Sequence, residues 1–231
     1  MITSTDDILQ TRTNIDAIDD QILALAELRL HLATNLRALK TTESPPWDPV
    51  REHAVLQRLM AQRNEILAPE VLLSMWNALI TASLMRQGPL VLLTQSSEMN
   101  ALGLAAFPNA ATENLAFHNW RQQIADTKGS IAILPYPSDQ QTWWCTLAKP
   151  DAPVQVKACL PKWPPDRRTA CCLSVGGPPY QSGQTCWSVI EETSEYAAQG
   201  NEIARAKGLV LLESDRPLDA QASTISIGNF F

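Results

Sequence analysis

Glycine divides this chain: none occurs in residues 1–87, and all nine fall at Gly88 or later. Proline follows, with four residues before Gly88 and twelve after it. A long stretch without glycine, with prolines in two short clusters only, reads as helices joined by brief connectors, because these two residues most disfavour helix interiors. Behind Gly88 come short apolar runs, PLVLL, SIAIL, VQVKACL, TACCLSV, TCWSVI, LVLLE and STISI, separated by turn residues, with one helical pattern around residues 114–128. The expected architecture is therefore an all-α N-terminal domain over 1–88 and a C-terminal α/β or α+β domain over 89–231. The junction from Arg86 to Pro89 is short.

The front part resolves into three helices. The first spans Thr5 to Lys40, with Ser4 or Thr5 as N-cap and Asp6 and Asp7 at the positive end of the helix dipole. Its apolar stripe, Ile8, Ile15, Ile18, Ile22, Leu25, Leu32, Leu36 and Leu39, is too long to be buried by one short hairpin and calls for a partner chain. The second helix starts at Asp48-Pro49, an N-cap followed by proline at the first helical position, and carries Val55, Leu56 and Leu59. The third runs from Pro69-Glu70 to Gln87, with Leu72, Trp76 and Leu79 inward and Gly88 ending it.

Charges interrupt these stripes. Arg29 falls seven residues after Ile22 and seven before Leu36, so a guanidinium stands where a leucine belongs. Arg12 and Lys40 lie four heptads apart on one flank of the same stripe. Glu52 shares the face of Leu56 on the second helix, with Asp48 one turn earlier, and the third helix continues its inward face into Ser83 and Gln87. All three helices are thus expected to turn polar toward a common interior. Several fixed cations, a carboxylate and an amide walled by leucine suit a small polyanion, and two arginines suit a dicarboxylate. No nucleophile with an adjacent base is visible, so chemistry here rests on positioning and electrostatics without a covalent intermediate.

Composition narrows the remaining classes. With 45% hydrophobic and 18% charged residues the chain is expected to fold, and a net charge of −6 argues against broad nucleic-acid or anionic-membrane binding. No apolar stretch reaches the roughly 18 residues of a membrane span, and the start MITSTDDILQ lacks the features of a signal peptide, which predicts a cytoplasmic protein. The five cysteines form no CxxC pair and share no ligand spacing with His31, His53 or His118, so no metal and no cofactor is expected. Adjacent Cys171 and Cys172 should point to opposite faces of a strand.

The segments LQTRTNIDAIDDQILALAELRLHLATNLRALK, WDPVREHAVLQRL and VLLSMWNALITASLMRQ together resemble the all-helical AroQ class of chorismate mutases over residues 5–88. The resemblance rests on RxxIDxID, an arginine seventeen residues after the first, a lysine eleven further on, DxxRE, and Ser-xxx-Gln near the end of the third helix. It implies an intertwined homodimer that exchanges long first helices, and conversion of chorismate to prephenate in phenylalanine and tyrosine biosynthesis. By resemblance, Arg12 reaches into the partner's site, Arg29 and Arg12 hold the substrate carboxylates, and Ser83 assists. Lys40 and Gln87 donate to the ether oxygen, and Glu52 binds the ring hydroxyl with Asp48 and Arg51 beside it. The same scaffold serves isochorismate pyruvate lyases, and a noncatalytic sensor of chorismate or an aromatic amino acid is a further reading.

Behind Gly88, SIAILPYPSD is faintly similar to a strand and loop of prephenate dehydratases, and TCWSVIEET, LVLLESDRP and STISIGNFF to the strands of an ACT module. The dehydratase's Thr-Arg-Phe signature is absent, since Thr-Arg occurs only at Thr11-Arg12, and 143 residues are too few for both modules. A noncatalytic regulatory or structural domain is expected, with GGPPYQSG as a turn, His118 at the surface or in packing, and Trp143, Trp144, Trp163 and Trp187 filling a core or interface.

Overall fold

The computed structural model describes residues 5–39, 47–149, 153–162, 167–176, 184–192, 200–218 and 224–231. Three helices come first: α1 (Thr5–Leu39), α2 (Pro49–Gln62) and α3 (Pro69–Gln87). Asp48 caps α2 as expected, its Oδ1 accepting the Arg51 backbone N–H at 2.9 Å ahead of Pro49. Pro69 opens α3, and the Gly88 N–H closes it by donating to the Leu84 carbonyl at 3.1 Å. Ser4, Lys40, Trp163 and most of GGPPYQSG lie outside the described residues.

The remainder forms β1 (Val91–Thr94), α4 (Ser97–Ala106), β2 (Ala111–Asn114), α5 (Trp120–Asp126), β3 (Ser130–Pro135), a 3-10 turn (Thr142–Leu147), β4 (Val154–Leu160), β5 (Ala170–Val175), β6 (Thr185–Glu191), β7 (Asn201–Ala206), β8 (Leu209–Ser214) and β9 (Ile225–Phe230). Among the described residues, these nine strands join one sheet in the order β2-β1-β3-β5-β4-β9-β6-β8-β7. Strand β1 pairs parallel with both β2 and β3, linked through α4 and α5 in the α/β manner, whereas β3 to β5, β5 to β4 and all pairs of β6, β7, β8 and β9 are antiparallel. A further parallel contact joins β4 to β9 at Val156 and Gly228, where a side chain on the glycine would stand 2.6 Å from the Val156 carbonyl oxygen. The sheet thus combines an α/β end with an antiparallel end. The helical pattern expected around 114–128 contracts to α5, because residues 111–114 are an edge strand.

Strand alternation builds two cores. Leu93, Ala132, Leu134 and Cys171 point to one face with Trp144, Trp187 and Phe230, while Leu92, Ile131, Ile133 and Cys172 point to the other. Adjacent Cys171 and Cys172 therefore do face opposite ways, and burial pushes both thiols up from their ordinary range, keeping them protonated. His118 lies at the surface.

The second core is shared with the helices. Leu56 of α2 and Ile80 and Leu84 of α3 pack in one cluster with Leu92, Met99 and Phe107. Helix α3 is accordingly buried on more than the expected face: Leu72 is buried and Trp76 and Leu79 partly so, but Ile80, Thr81 and Leu84 lie deeper than the latter two. Helix α1 buries no residue fully. Its better-covered side carries Ala26, Arg29, Leu30, Ala33 and Arg37, and α1 packs on α3. The long stripe stays open, from 46% exposed at Ile8 and Leu36 to 83% at Leu39. No helix among the described residues is long and apolar enough to cross a membrane.

One glycine fastens the start of the sheet. Gly129 has φ of +74°, and a Cβ there would lie 1.9 Å from the Pro89 carbonyl oxygen. Gly208 has a similar φ of +73° but open space around it. Gly129→Ala should therefore cost about 2–4 kcal/mol, and Gly208→Ala only about 1 kcal/mol from backbone strain. Urea denaturation of the two variants checks this difference.

Candidate active site

The C-terminal half of α1 lies against α3, and Arg29 is the polar residue at that contact. Its Nη1 donates to Ser83 Oγ at 2.5 Å and to the Leu79 carbonyl at 2.8 Å. Ser83 Oγ in turn donates to the same Leu79 carbonyl at 2.7 Å. One turn further along α3, Gln87 Nε2 donates to the Ser83 carbonyl at 3.1 Å, while its Oε1 is buried without a partner among the described residues. Leu79, Ser83 and Gln87 recur every four residues, which stacks them on one side of the helix. Arg29 therefore meets Ser83 directly, and Gln87 follows one turn along the same side of α3.

Arg29 is half-buried, and desolvation alone moves it, lowering its pKa from the ordinary value. A guanidinium stays charged through such a shift. All its bonded partners on α3 are neutral, so its positive charge is not cancelled there. An arginine held by a hydroxyl and a carbonyl, beside a buried amide, is prepared to receive an anion.

Glu52 departs from the expected common interior. It is buried, its Oε2 accepting from Trp47 Nε1 at 2.8 Å and its Oε1 from Lys162 Nζ. Lys162 follows β4 in the α/β domain, also donates to the Ala106 carbonyl at 2.9 Å, and lies 4.2 Å from the Phe107 ring centroid. Both carboxylate oxygens are thus engaged, one of them by the other domain. The amphipathic pattern of α2 gives the face of Glu52 correctly, but that face meets the sheet domain as well as α3, which a helical pattern alone does not reveal. Lys162 and Trp47 were not foreseen, and nothing in the local sequence distinguishes Lys162 from the other lysines.

The other expected residues stand apart. Asp48 is an exposed helix cap, and Arg51 is exposed on α2. Arg12 is exposed on α1, seventeen residues from Arg29 and hence about 25 Å away along the same helix. Arg12 and Arg29 of one chain cannot hold one small molecule. Lys40 lies outside the described residues.

Comparison with known proteins adds one family: residues 11–88 match the family model of chorismate mutase type II. No curated protein matches the chain. Among solved structures, one described as "GqqA- a novel type of quorum quenching acylases" is 11% identical, covering 61% of this chain and 94% of that one, with a TM-score of 0.42. That likeness is too loose to bear on function.

Proposed function

We propose that this chain, whose residues 11–88 match the family model of chorismate mutase type II, converts chorismate to prephenate. The observation that carries the reading is Arg29, half-buried, bonded only to neutral groups on α3, and grouped with Ser83 and Gln87. In this reaction one C–O bond breaks as one C–C bond forms within a single molecule, so no group is transferred to the protein. The site has to hold the enolpyruvyl side chain over the ring and stabilise charge growing on the ether oxygen. Even a modest enzyme lowers the barrier by about 8 kcal/mol, and fixed donors in a site shielded from water supply much of that.

In this reading Arg29 binds a substrate carboxylate with Ser83 beside it, and Gln87 and Lys40 donate to the ether oxygen. Glu52 accepts from the ring hydroxyl, its carboxylate fixed by Trp47 and Lys162, with Asp48 and Arg51 nearby on α2. The second carboxylate is held by Arg12 of a second copy. Two facts support that assignment: the distance from Arg12 to Arg29 along one helix, and the uncovered stripe that a paired α1 would bury. The α/β domain is read as noncatalytic, regulatory or structural.

The test incubates pure protein with chorismate and identifies the product. Prephenate supports the reading, whereas released pyruvate marks an isochorismate-type lyase and unchanged but bound chorismate marks a sensor. Size-exclusion chromatography with light scattering should give about 51 kDa, twice the 25.5 kDa chain. A mass of one chain would remove the partner's arginine from the mechanism.

Gln87→Glu gives a further expectation. A glutamate donates a hydrogen bond only when protonated, so the variant should be active at acid pH and lose activity as pH rises through the carboxyl pKa. Activity equal to that of the parent protein at pH 8 would exclude Gln87 as an ether-oxygen donor.

A further inference from the structure

A cleft opens where α2 faces the seam between β4 and β9, and it is separate from the cluster of Arg29, Ser83 and Gln87. Leu56 and Met60 of α2, Leu73 of α3 and Phe231 give it apolar walls, and the His53 ring stacks on Phe231 at 4.6 Å. Three cations border it: Lys157, Lys162 and Arg168. Two are neutralised, Lys162 by Glu52 and Arg168 by Glu213, the latter pair at 2.7 Å. His53 is shifted down by burial and is neutral at pH 7.

Lys157 is the remaining charge. It is only 6% exposed, and its Nζ donates to the neutral Gln155 Oε1 at 2.7 Å, with no carboxylate partner among the described residues. Its place is set by a β-bulge: Val156 pairs with Leu173 and Ala158 with the next residue, Cys172, so Lys157 is the extra residue between them. Bulges redirect side chains, and this one puts a lysine on the wall of the cleft within a strand that otherwise buries apolar residues. A buried ammonium with one amide partner is costly to keep in the absence of an anion.

We propose that this cleft binds a small monocarboxylate with an apolar or aromatic body, the carboxylate pairing with Lys157 and the body lying against α2 and Phe231. Lys157 sets the class, because it alone of the three bordering cations makes no ion pair among the described residues. The apolar walls favour a carboxylate carrying hydrocarbon over a bare inorganic anion. Trp47, Glu52 and Lys162 border both this cleft and the proposed mutase site, whereas Lys157, on which this proposal stands, has no part in the mutase reading.

Desolvation lowers the Lys157 pKa to about 8, so affinity should hold below that pH and decline above it. The other titratable groups on the cleft wall are Glu52, His53, Cys159, Lys162 and Arg168.

The experiment titrates the full chain with benzoate, following calorimetry and the fluorescence of Trp47, which borders the cleft. Benzyl alcohol is the neutral control. Saturable benzoate binding that weakens at least about tenfold in Lys157→Met, with benzyl alcohol far weaker, is the expected result. Equal affinity in Lys157→Met, equal affinity for benzyl alcohol, or no saturation below about 10 mM benzoate would overturn the proposal. Should Lys157→Met not fold, Met60→Trp keeps the lysine and fills the cleft from α2. Loss of benzoate binding in that variant supports the site, and retained binding overturns it.

Discussion

Replacing Arg29 by alanine is expected to lower kcat/KM for chorismate by about 10³-fold or more, with the helices still folded. Removing one preorganised donor from a charge-stabilising site typically costs about 10²–10³ in rate, and Arg29 also carries the ground-state charge that holds a carboxylate. Arg29→Lys should recover little, because an ammonium cannot reproduce a guanidinium that reaches Ser83 and Leu79 and still offers donors to a ligand. The fold should tolerate the change, since the residue is half-buried and bonds only neutral groups. The partner assignment makes a stricter demand. Arg12→Ala and Arg29→Ala chains, each inactive alone, should regain about a quarter of parental activity when refolded together in equal amounts. Half of the resulting dimers are mixed, and each mixed dimer holds one complete site. No recovery on mixing would remove the partner's Arg12 from the mechanism.

The second large effect concerns stability and joins the two parts of the molecule. Glu52 and Lys162 have side chains only 6% and 11% exposed, so each keeps the other's charge tolerable in a poorly solvated place. Removing one partner of such a pair costs about 3–5 kcal/mol, because the remaining charge is stranded. Glu52→Gln and Lys162→Met should each lower the melting temperature by roughly 6–20 °C for a chain of this size. The double variant should recover most of that loss, since removing both charges also removes the desolvation cost. Thermal denaturation of the three variants decides it: additive losses in the double variant would mean that the two residues act independently.

The sequence was most legible where one periodicity served one partner. Helix boundaries at Asp48, Pro69 and Gly88 follow from capping chemistry and are found in place, as are the strands whose apolar runs cross the middle of the sheet. The strands that escaped notice are β2 and β7, the two edges. An edge strand has no apolar run to reveal it: ATEN is exposed at every position, and NEIARA mixes charges with alanine. Helix α4 escaped for a different reason. Its Gly103 reads as a break, yet a Cβ there would come within 3.1 Å of Ile133, so the glycine serves close packing of helix on strand.

The candidate site divides on the same principle. Arg29, Ser83 and Gln87 lie on two helices that meet each other, and helical spacing was enough to group them. Glu52 lies on a helix that also meets the sheet domain, and its partner Lys162 is 110 residues away in sequence. No local pattern encodes a contact between domains. Lys157 could have been noticed, because a lysine in the middle of VQVKACL interrupts an apolar strand much as Arg29 interrupts α1.

The most direct test of the account is the fate of chorismate in the presence of the pure protein, followed by loss of its ultraviolet absorbance and by NMR of the product. The account predicts stoichiometric prephenate, formed without pyruvate and abolished by Arg29→Ala. Chorismate left intact by a folded dimer, or pyruvate as the product, would contradict it.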